Sequence, residues 1–547
     1  MDSGQREIEL KLRAAPEDIA VLRNHPHFAS ALHDPTHETL ISVYFDSDDR
    51  FLRHHGVTLR VRHIDGKRVQ TVKTANRGSG FFERLEWEQA IEGDLPDLSR
   101  LKDTALGPIC TDDEVHNSLN PVFETRIERT SYHLNRNGAD VVMTIDEGQI
   151  VATDSSCLVS EIELELKHGN PAELFKVARD IIDIVPAQIE VKSKPERGYE
   201  LLEKAPIAAE TASDPELNAE MNKGRAFTLI GRACLHHLVA NVPAVLSRNA
   251  EALHQMRVAL RRLRAAISLF SQVVIDDRIN AIKTELRWLA RECGPARDVD
   301  TLLIEVLKPL RKQHKNEPGF VSISKMFERQ RLKGYQQAMA AVQSARFRTL
   351  VLDAAEWIEA GPWTTSEDAP IRACRDSPIE SYAAEQLSRR RKKIRRRGAR
   401  ISDLNPEQLH RLRIQVKKAR YAVEFFSSVY QGKKSAKRCK EIRSSLTRLQ
   451  NSLGGVNDVV TRKALFADII ATPARGLTAE QNRRRAFAAG VIIGNQQAQF
   501  QTLLDRARKA HSRFDSAKPF WKLPRQRIVC GHNPCQPRLS VIPPGKQ

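Results

Sequence analysis

Residues 7–11 read Glu-Ile-Glu-Leu-Lys, and residues 160–166 read Ser-Glu-Ile-Glu-Leu-Glu-Leu. A β-strand turns alternate side chains to opposite faces, so each run becomes a ribbon with one apolar and one charged face. Glu7, Glu9 and Lys11 oppose Ile8, Leu10 and Leu12, while Glu161, Glu163 and Glu165 oppose Ile162, Leu164 and Leu166. The apolar faces need a core. The charge-bearing residues of the first run lie within about 14 Å, at roughly 3.4 Å per residue. A solvated strand face is the simpler reading of either run alone. Like charges so spaced are otherwise relieved by a hard divalent cation, and a nearby ammonium then suits a phosphate on that cation.

Basic strands lie between the acidic ones. Thr58-Leu-Arg-Val-Arg62 turns Arg60 and Arg62 one way, Lys73 ends the next strand after a turn at Gly66, and Arg84, Glu86 and Glu88 share a side of another. Thr125-Arg126 and Met143-Thr-Ile-Asp146 follow. Polar faces of both signs over about eight strands predict a closed antiparallel β-barrel with a polar interior, a tunnel for cations and a polyanion.

Glu7-x-Glu9-x-Lys11, Arg60-x-Arg62, Lys73, Arg126, Asp146, Glu161-x-Glu163 and Ser193-Lys194-x-x-Arg197-Gly198-Tyr199 stand in an order that resembles the CYTH domain, or triphosphate tunnel metalloenzyme, over residues 5–203. The resemblance implies hydrolysis of inorganic triphosphate with Mg2+ or Mn2+. Related members hydrolyse thiamine triphosphate or cyclise ATP as a class IV-type adenylate cyclase, and both stay open, as does a noncatalytic polyphosphate binder. The implied metal ligands are Glu7, Glu9, Asp146, Glu161 and Glu163; Glu165 has the same facing but lies beyond the family's pair. Lys11, Arg60, Arg62, Lys73, Arg126 and Lys194 are the implied triphosphate contacts. Catalysis falls to Glu7, Glu9, Lys11, Glu161 and Glu163, with Glu161 or Glu163 orienting water. Arg197 and Tyr199 are expected to be structural.

Charge divides the chain. Residues 1–205 hold 25 Lys plus Arg against 37 Asp plus Glu, and residues 206–547 hold 62 against 31. Two domains follow, the second suited to a polyanion. Eight scattered cysteines exclude a disulfide framework, and Cys530, His532 and Cys535 match no common zinc spacing. No apolar signal region opens the chain and no membrane span is expected, so a soluble cytoplasmic protein is anticipated.

Residues 204–216 read as a linker, after which the apolar period changes from two to 3.6. An all-α bundle is predicted over residues 217–513 with a tail over 514–547, making the chain an α+β multidomain protein. Leu253-His-Gln-Met-Arg-Val-Ala-Leu-Arg-Arg-Leu-Arg264 aligns without a gap on Leu409-His-Arg-Leu-Arg-Ile-Gln-Val-Lys-Lys-Ala-Arg420, an internal two-fold repeat. His254, Arg257, Arg261 and Arg264 fall within about 80° on a helix, as do His410, Arg413, Lys417 and Arg420. With no acidic residue expected at i±4, these one-sign stripes imply an external anion. Glycines at 294 and 454–455, each before an Asp, predict a helix break in both halves. The repeat resembles the CHAD domain, which implies binding of inorganic polyphosphate through the two stripes. Protonation of His254 or His410 below about pH 6.5 is expected to tighten that binding. The Arg389–Arg397 run is expected to extend the polyphosphate surface, with nonspecific nucleic acid as the competing partner.

Overall fold

The computed structural model describes residues 8–29, 35–64, 66–74, 86–101, 104, 106–107 and 118–522. Glu7, Arg84, Cys530, His532 and Cys535 lie outside the described residues.

The alternating runs form strands β1 (Ile8–Arg13), β2 (Thr36–Asp46), β3 (Val57–Ile64), β4 (Lys67–Thr74), β5 (Glu86–Ile91), β6 (Asn120–Arg136), β7 (Ala139–Ala152), β8 (Ser155–His168) and β9 (Gln188–Ile189). They pair antiparallel in one sheet of order β5-β4-β3-β2-β6-β7-β8-β1-β9. Among the described residues β5 and β9 are its edges and do not pair, so the expected closed barrel is corrected to an open sheet. β9 offers only two residues, both paired to β1, too few to carry a ladder across to β5.

The sheet is nevertheless strongly curled. Lys73 on β4 and Glu9 on β1 are six strand steps apart, roughly 29 Å across a flat sheet at about 4.8 Å per step. Yet Glu9 acts electrostatically on the Lys73 ammonium. The polar faces therefore look at one another across an open cleft.

Helices flank the sheet: α1 (Pro16–Asn24), α2 (Pro171–Ile184) and α3 (Lys194–Leu202). Leu10, Leu12, Met143, Ile145, Ile162 and Leu164 turn away from the cleft and pack on Leu174, Phe175, Val177 and Ile181 of α2. α3 begins with a Ser193–Glu196 capping box and buries Tyr199 against Phe123 at the end of the cleft. A Cβ at Gly198 would sit 2.3 Å from the Phe123 ring, so this approach requires glycine.

The second half is helical as expected. Its longer helices are α4 (Lys223–Ala240), α5 (Ala250–Leu269), α6 (Arg278–Glu292), α7 (Gly294–Leu302), α8 (Pro318–Gln343), α9 (Ala345–Ala360), α10 (Ile379–Gly398), α11 (Pro406–Phe426), α12 (Lys433–Ala471) and α13 (Ala479–Ser516). The starts of α4 and α10 (223, 379) and of α5 and α11 (250, 406) are both offset by 156 residues. The equivalent asparagines Asn249 and Asn405 each cap the stripe helix by accepting backbone N–H groups.

The chain does break between α6 and α7, but Gly454 and Gly455 lie inside the continuous α12. Here the glycine serves packing: a Cβ at Gly455 would meet Leu503 of α13 at 2.9 Å. One stretch, Lys223–Leu246, is long and apolar enough to cross a membrane, yet 83% of that window is buried in the bundle. Among the described residues it reads as a core helix.

The two halves share one apolar core. At their contact Arg179 of α2 reaches Asp353 at 2.6 Å and Glu356 at 3.0 Å on α9. Residues 204–216 lie along the bundle: Glu210 O accepts from His237 and Asn241, and Asp214 pairs with Arg443 at 2.6 Å. The expected tail begins as structure, since α13 runs to Ser516 and Phe520 and Trp521 are buried. Its remainder, residues 523–547, lies outside the described residues.

Candidate functional site

Asp146 of β7 pairs with Glu161 of β8, which brings Asp146, Glu161 and Glu163 onto one face. One carboxylate oxygen from each lies within 4.8 Å of the others, a candidate site for a divalent cation. Asp146 and Glu161 have side chains 0% exposed. Buried carboxylates need partners, and cations supply them here. Arg129 of β6 forks onto Asp146 at 2.7 and 2.6 Å and reaches Glu163 at 2.9 Å. Lys194, at the start of α3, contacts all three carboxylates: Asp146 at 2.7 Å, Glu163 at 3.0 Å, and Glu161. Lys11 reaches Glu163 at 2.7 Å, and both Glu9 and Glu161 at 3.6 Å. Arg197 ties Glu161 at 3.1 Å to the Leu158 carbonyl at 2.6 Å.

These contacts set the protonation. Burial works to raise the Glu163 carboxyl, but Lys11, Lys194 and Arg129 outweigh it and hold it well below its ordinary range. Asp146 is lowered too, burial and Glu163 being outweighed by Lys194 and Arg129. The Lys194 ammonium is raised, its burial overcome by Asp146, Glu161 and Glu163. Hard oxygen donors that stay ionised at neutral pH suit a divalent cation, and the ammonium among them marks where positive charge is wanted.

The cleft's other wall is basic. Arg60 and Arg62 stand on β3 and Lys73 on β4. Burial, and then Arg60, lower Arg62 to about 10. Lys73 is lowered by the same two causes, with Glu86 at 2.6 Å opposing. Arg60 reaches Glu86 at 3.5 Å, while its Nε is buried with no hydrogen-bond partner among the described residues. A buried donor without an acceptor is costly and points to an oxygen-rich ligand.

In the helical half the two stripes face each other. Arg261 Nε donates to Tyr421 Oη across α5 and α11 at 3.3 Å. Lys417 of α11 is pushed down to about 8 by burial and then by Arg261, Arg413, Arg264 and Arg257. His254 is pushed to about 4 by burial and then by Arg297. His410 instead hydrogen-bonds Asn457 at 2.7 Å. Arg257 Nε, Arg413 Nε and Arg420 Nε are buried without partners among the described residues.

The CYTH domain family model matches residues 5–199 and the CHAD domain family model residues 229–467. This chain joins a CYTH domain to a CHAD domain. It is 30% identical over 202 residues to an inorganic triphosphatase of Haemophilus influenzae, covering 36% of this chain and 54% of that protein. The chain thus spans about half the length of the curated relative it matches. Solved structures that overlap it include the CHAD domain of the plant Ricinus communis, at 27% identity over 56% of this chain and 96% of that one, TM-score 0.46. Another is a putative adenylyl cyclase from Hippeastrum described as having dominant triphosphatase activity, at 19% identity over 36% and 95%, TM-score 0.28.

In the CYTH domain the cleft face gathers Glu9, Lys11, Arg60, Arg62, Lys73, Asp146, Glu161, Glu163 and Lys194. Glu165 opposes Glu9 on the same face but pairs with Lys167 outside the acidic cluster. Arg126 is not brought there. It opposes Ile41, its side chain is 58% exposed, and it pairs with Glu124 at 2.5 Å on the other face of β6. Arg129, three residues on, takes the cleft position and was not anticipated; nor was Glu86 as the partner of Lys73. In the CHAD domain the absence of acidic partners is corrected: Arg420 meets Glu424 at 3.3 Å and Arg257 meets Asp298 at 3.5 Å. The expected His254 titration near pH 6.5 is corrected as well, because burial and Arg297 keep that ring neutral down to about 4.

Proposed function

We propose that the chain is a metal-dependent inorganic triphosphatase whose CHAD domain binds polyphosphate. The observation that carries the reading is the Asp146–Glu161–Glu163 cluster facing buried cations across a curled sheet. Mg2+ or Mn2+ held by these carboxylates, with Glu9 beside them, would supply charge to the phosphate oxygens. Lys11, Arg129 and Lys194 on one wall and Arg60, Arg62 and Lys73 on the other grip and neutralise the triphosphate. Phosphoryl transfer asks mainly for such positioning and charge. Glu163, the least buried of the three carboxylates, orients the attacking water, while Arg197 holds Glu161 in place.

A substrate panel on the full chain tests the reading. Tripolyphosphate is expected to be preferred over thiamine triphosphate and ATP and to release phosphate. A cyclic product from ATP, or preference for thiamine triphosphate, would replace the assignment. Arg129→Gln is expected to lower tripolyphosphate turnover by at least about tenfold, since a charge-assisted fork contributes roughly 1.5–3 kcal/mol. Arg126→Gln should stay within about twofold, as exposed pairs contribute little. Steady-state rates of the two variants decide between the faces of β6.

For the CHAD domain the expected ligand is long-chain polyphosphate lying between the stripes, which would also associate the protein with polyphosphate granules. Affinity should fall above about pH 8. Below that value Lys417 already carries its proton; above it, binding must take one up, because phosphate charge restores the ammonium. The fall is at most about tenfold per pH unit for one linked proton. Titration calorimetry in buffers of different ionisation heat reads the uptake, and Lys417→Met should abolish it.

A further inference from the structure

A third cationic face lies on α10. Arg389, Lys392, Lys393, Arg396 and Arg397 fall within about 140° of one another at 100° per residue. The first four are exposed and Arg397 is half-buried. Their neighbours in the run are committed to the fold: Arg390 donates to Gln386 Oε1 at 2.6 Å, Arg391 to the Asp515 carbonyl at 3.0 Å, and Arg395 pairs with Asp515. The five have no ion-pair partner among the described residues. Lys393 is instead pressed by Arg397, Arg389, Lys418 and Arg396. Lys418 belongs to α11; it is exposed and turned about 100° from Lys417 of the stripe, so it stands on the flank of α11 that faces Lys393, between the two surfaces.

The internal repeat shows that the bundle does not require these charges. The offset of 156 carries the five positions onto Ala233, His236, His237 and Ala240 of α4 and its C-cap Asn241. There the face has no Lys or Arg and is largely buried, and His237 and Asn241 meet the Glu210 carbonyl at 3.0 Å. One half covers this face with its own chain; in the other, no described residue pairs with it and cations fill it.

We propose that the α10 face, with Lys418, is a second polyanion track continuous with the cleft between α5 and α11, so that long polyphosphate chains engage both and short chains the cleft alone. The proposal rests on the polyphosphate reading above. Residues 389–397 span about 12 Å and 410–420 about 15 Å at 1.5 Å per residue, on either side of a helix about 10 Å wide. Only an extended, flexible polymer covers that path. The neighbouring Tyr382, Phe520 and Trp521 are buried, so no ring is offered for base stacking, which favours polyphosphate over single-stranded RNA.

The test compares the full chain with a variant carrying Arg389→Gln, Lys393→Gln, Arg396→Gln and Arg397→Gln. Glutamine keeps the helix, and a thermal melt confirms the fold. A control removes as many charges elsewhere: Lys433→Gln, Lys434→Gln, Lys437→Gln and Lys440→Gln. Probes are polyphosphates tens and hundreds of phosphates long, and tRNA. The α10 variant should lose at least about tenfold for the longest chains, with a salt slope shallower by roughly three at about 0.7 per phosphate contact. The gap between long and short chains should close, and the control should keep it. An unchanged long-chain affinity, an equal loss in the control, or a loss confined to tRNA overturns the track and leaves the cleft reading standing. Failure of the wild-type protein to bind any polyphosphate overturns both.

Discussion

Glu163→Gln is expected to lower kcat/KM for tripolyphosphate by at least about 100-fold, or roughly 3 kcal/mol at 1.4 kcal/mol per tenfold. The substitution keeps the side chain's size and removes its charge from a cluster that includes Lys11, Arg129 and Lys194. It takes one hard donor from the candidate cation site and leaves the cations with Asp146, Glu161 and the more distant Glu9. Because those cations hold the Glu163 carboxyl well below its ordinary range, wild-type activity should not titrate on this group near neutrality. The measurement is phosphate release across a divalent-metal titration, with circular dichroism to confirm the fold. A variant within a few-fold of wild type at every metal concentration removes Glu163 from the chemistry.

Arg257→Glu with Arg264→Glu is expected to cost at least about 100-fold in long-chain polyphosphate affinity and to flatten its salt dependence. Both residues act on Lys417 across the cleft, so reversing them turns a repulsive pocket into a locally balanced one. The Lys417 proton should then be held to higher pH, and the proton uptake on binding should vanish. Arg257 also donates to the Ala290 carbonyl at 3.2 Å, so Arg257→Gln with Arg264→Gln serves as a gentler pair, with a smaller loss in the same direction. Fluorescence anisotropy at several salt concentrations reads both effects. Affinity within threefold of wild type for both pairs would move the anion site off the stripes.

Local alternation was enough to place Glu9, Lys11, Arg60, Arg62, Glu161 and Glu163 on polar strand faces, because facing within a strand depends only on parity. Arg129 was missed for the complementary reason. Arg126 and Arg129 sit on opposite faces of β6, and which of them meets Asp146 is decided by pairing with β7, a long-range property. Barrel closure is non-local too: polar faces require a shared hydrated side, but whether the edges meet depends on strands such as the two-residue β9. Gly454 and Gly455 look like a stop in sequence, yet packing against Leu503 keeps α12 continuous. The His254 shift comes from burial and then from the Arg297 charge, neither of which a residue pattern on α5 reveals. The stripes themselves were legible because a gapless repeat displays them twice.

Asp146, Glu161 and Glu163 are proposed to hold the divalent cation that serves triphosphate cleavage. Anomalous diffraction from crystals of the full chain grown with Mn2+ and tripolyphosphate tests it most directly. A strong anomalous peak is expected within about 2.0–2.4 Å of oxygens from these three carboxylates, with the Lys194 ammonium moved from among them onto phosphate. Bound tripolyphosphate with the manganese peak elsewhere, and Lys194 still seated among the three carboxylates, would contradict it.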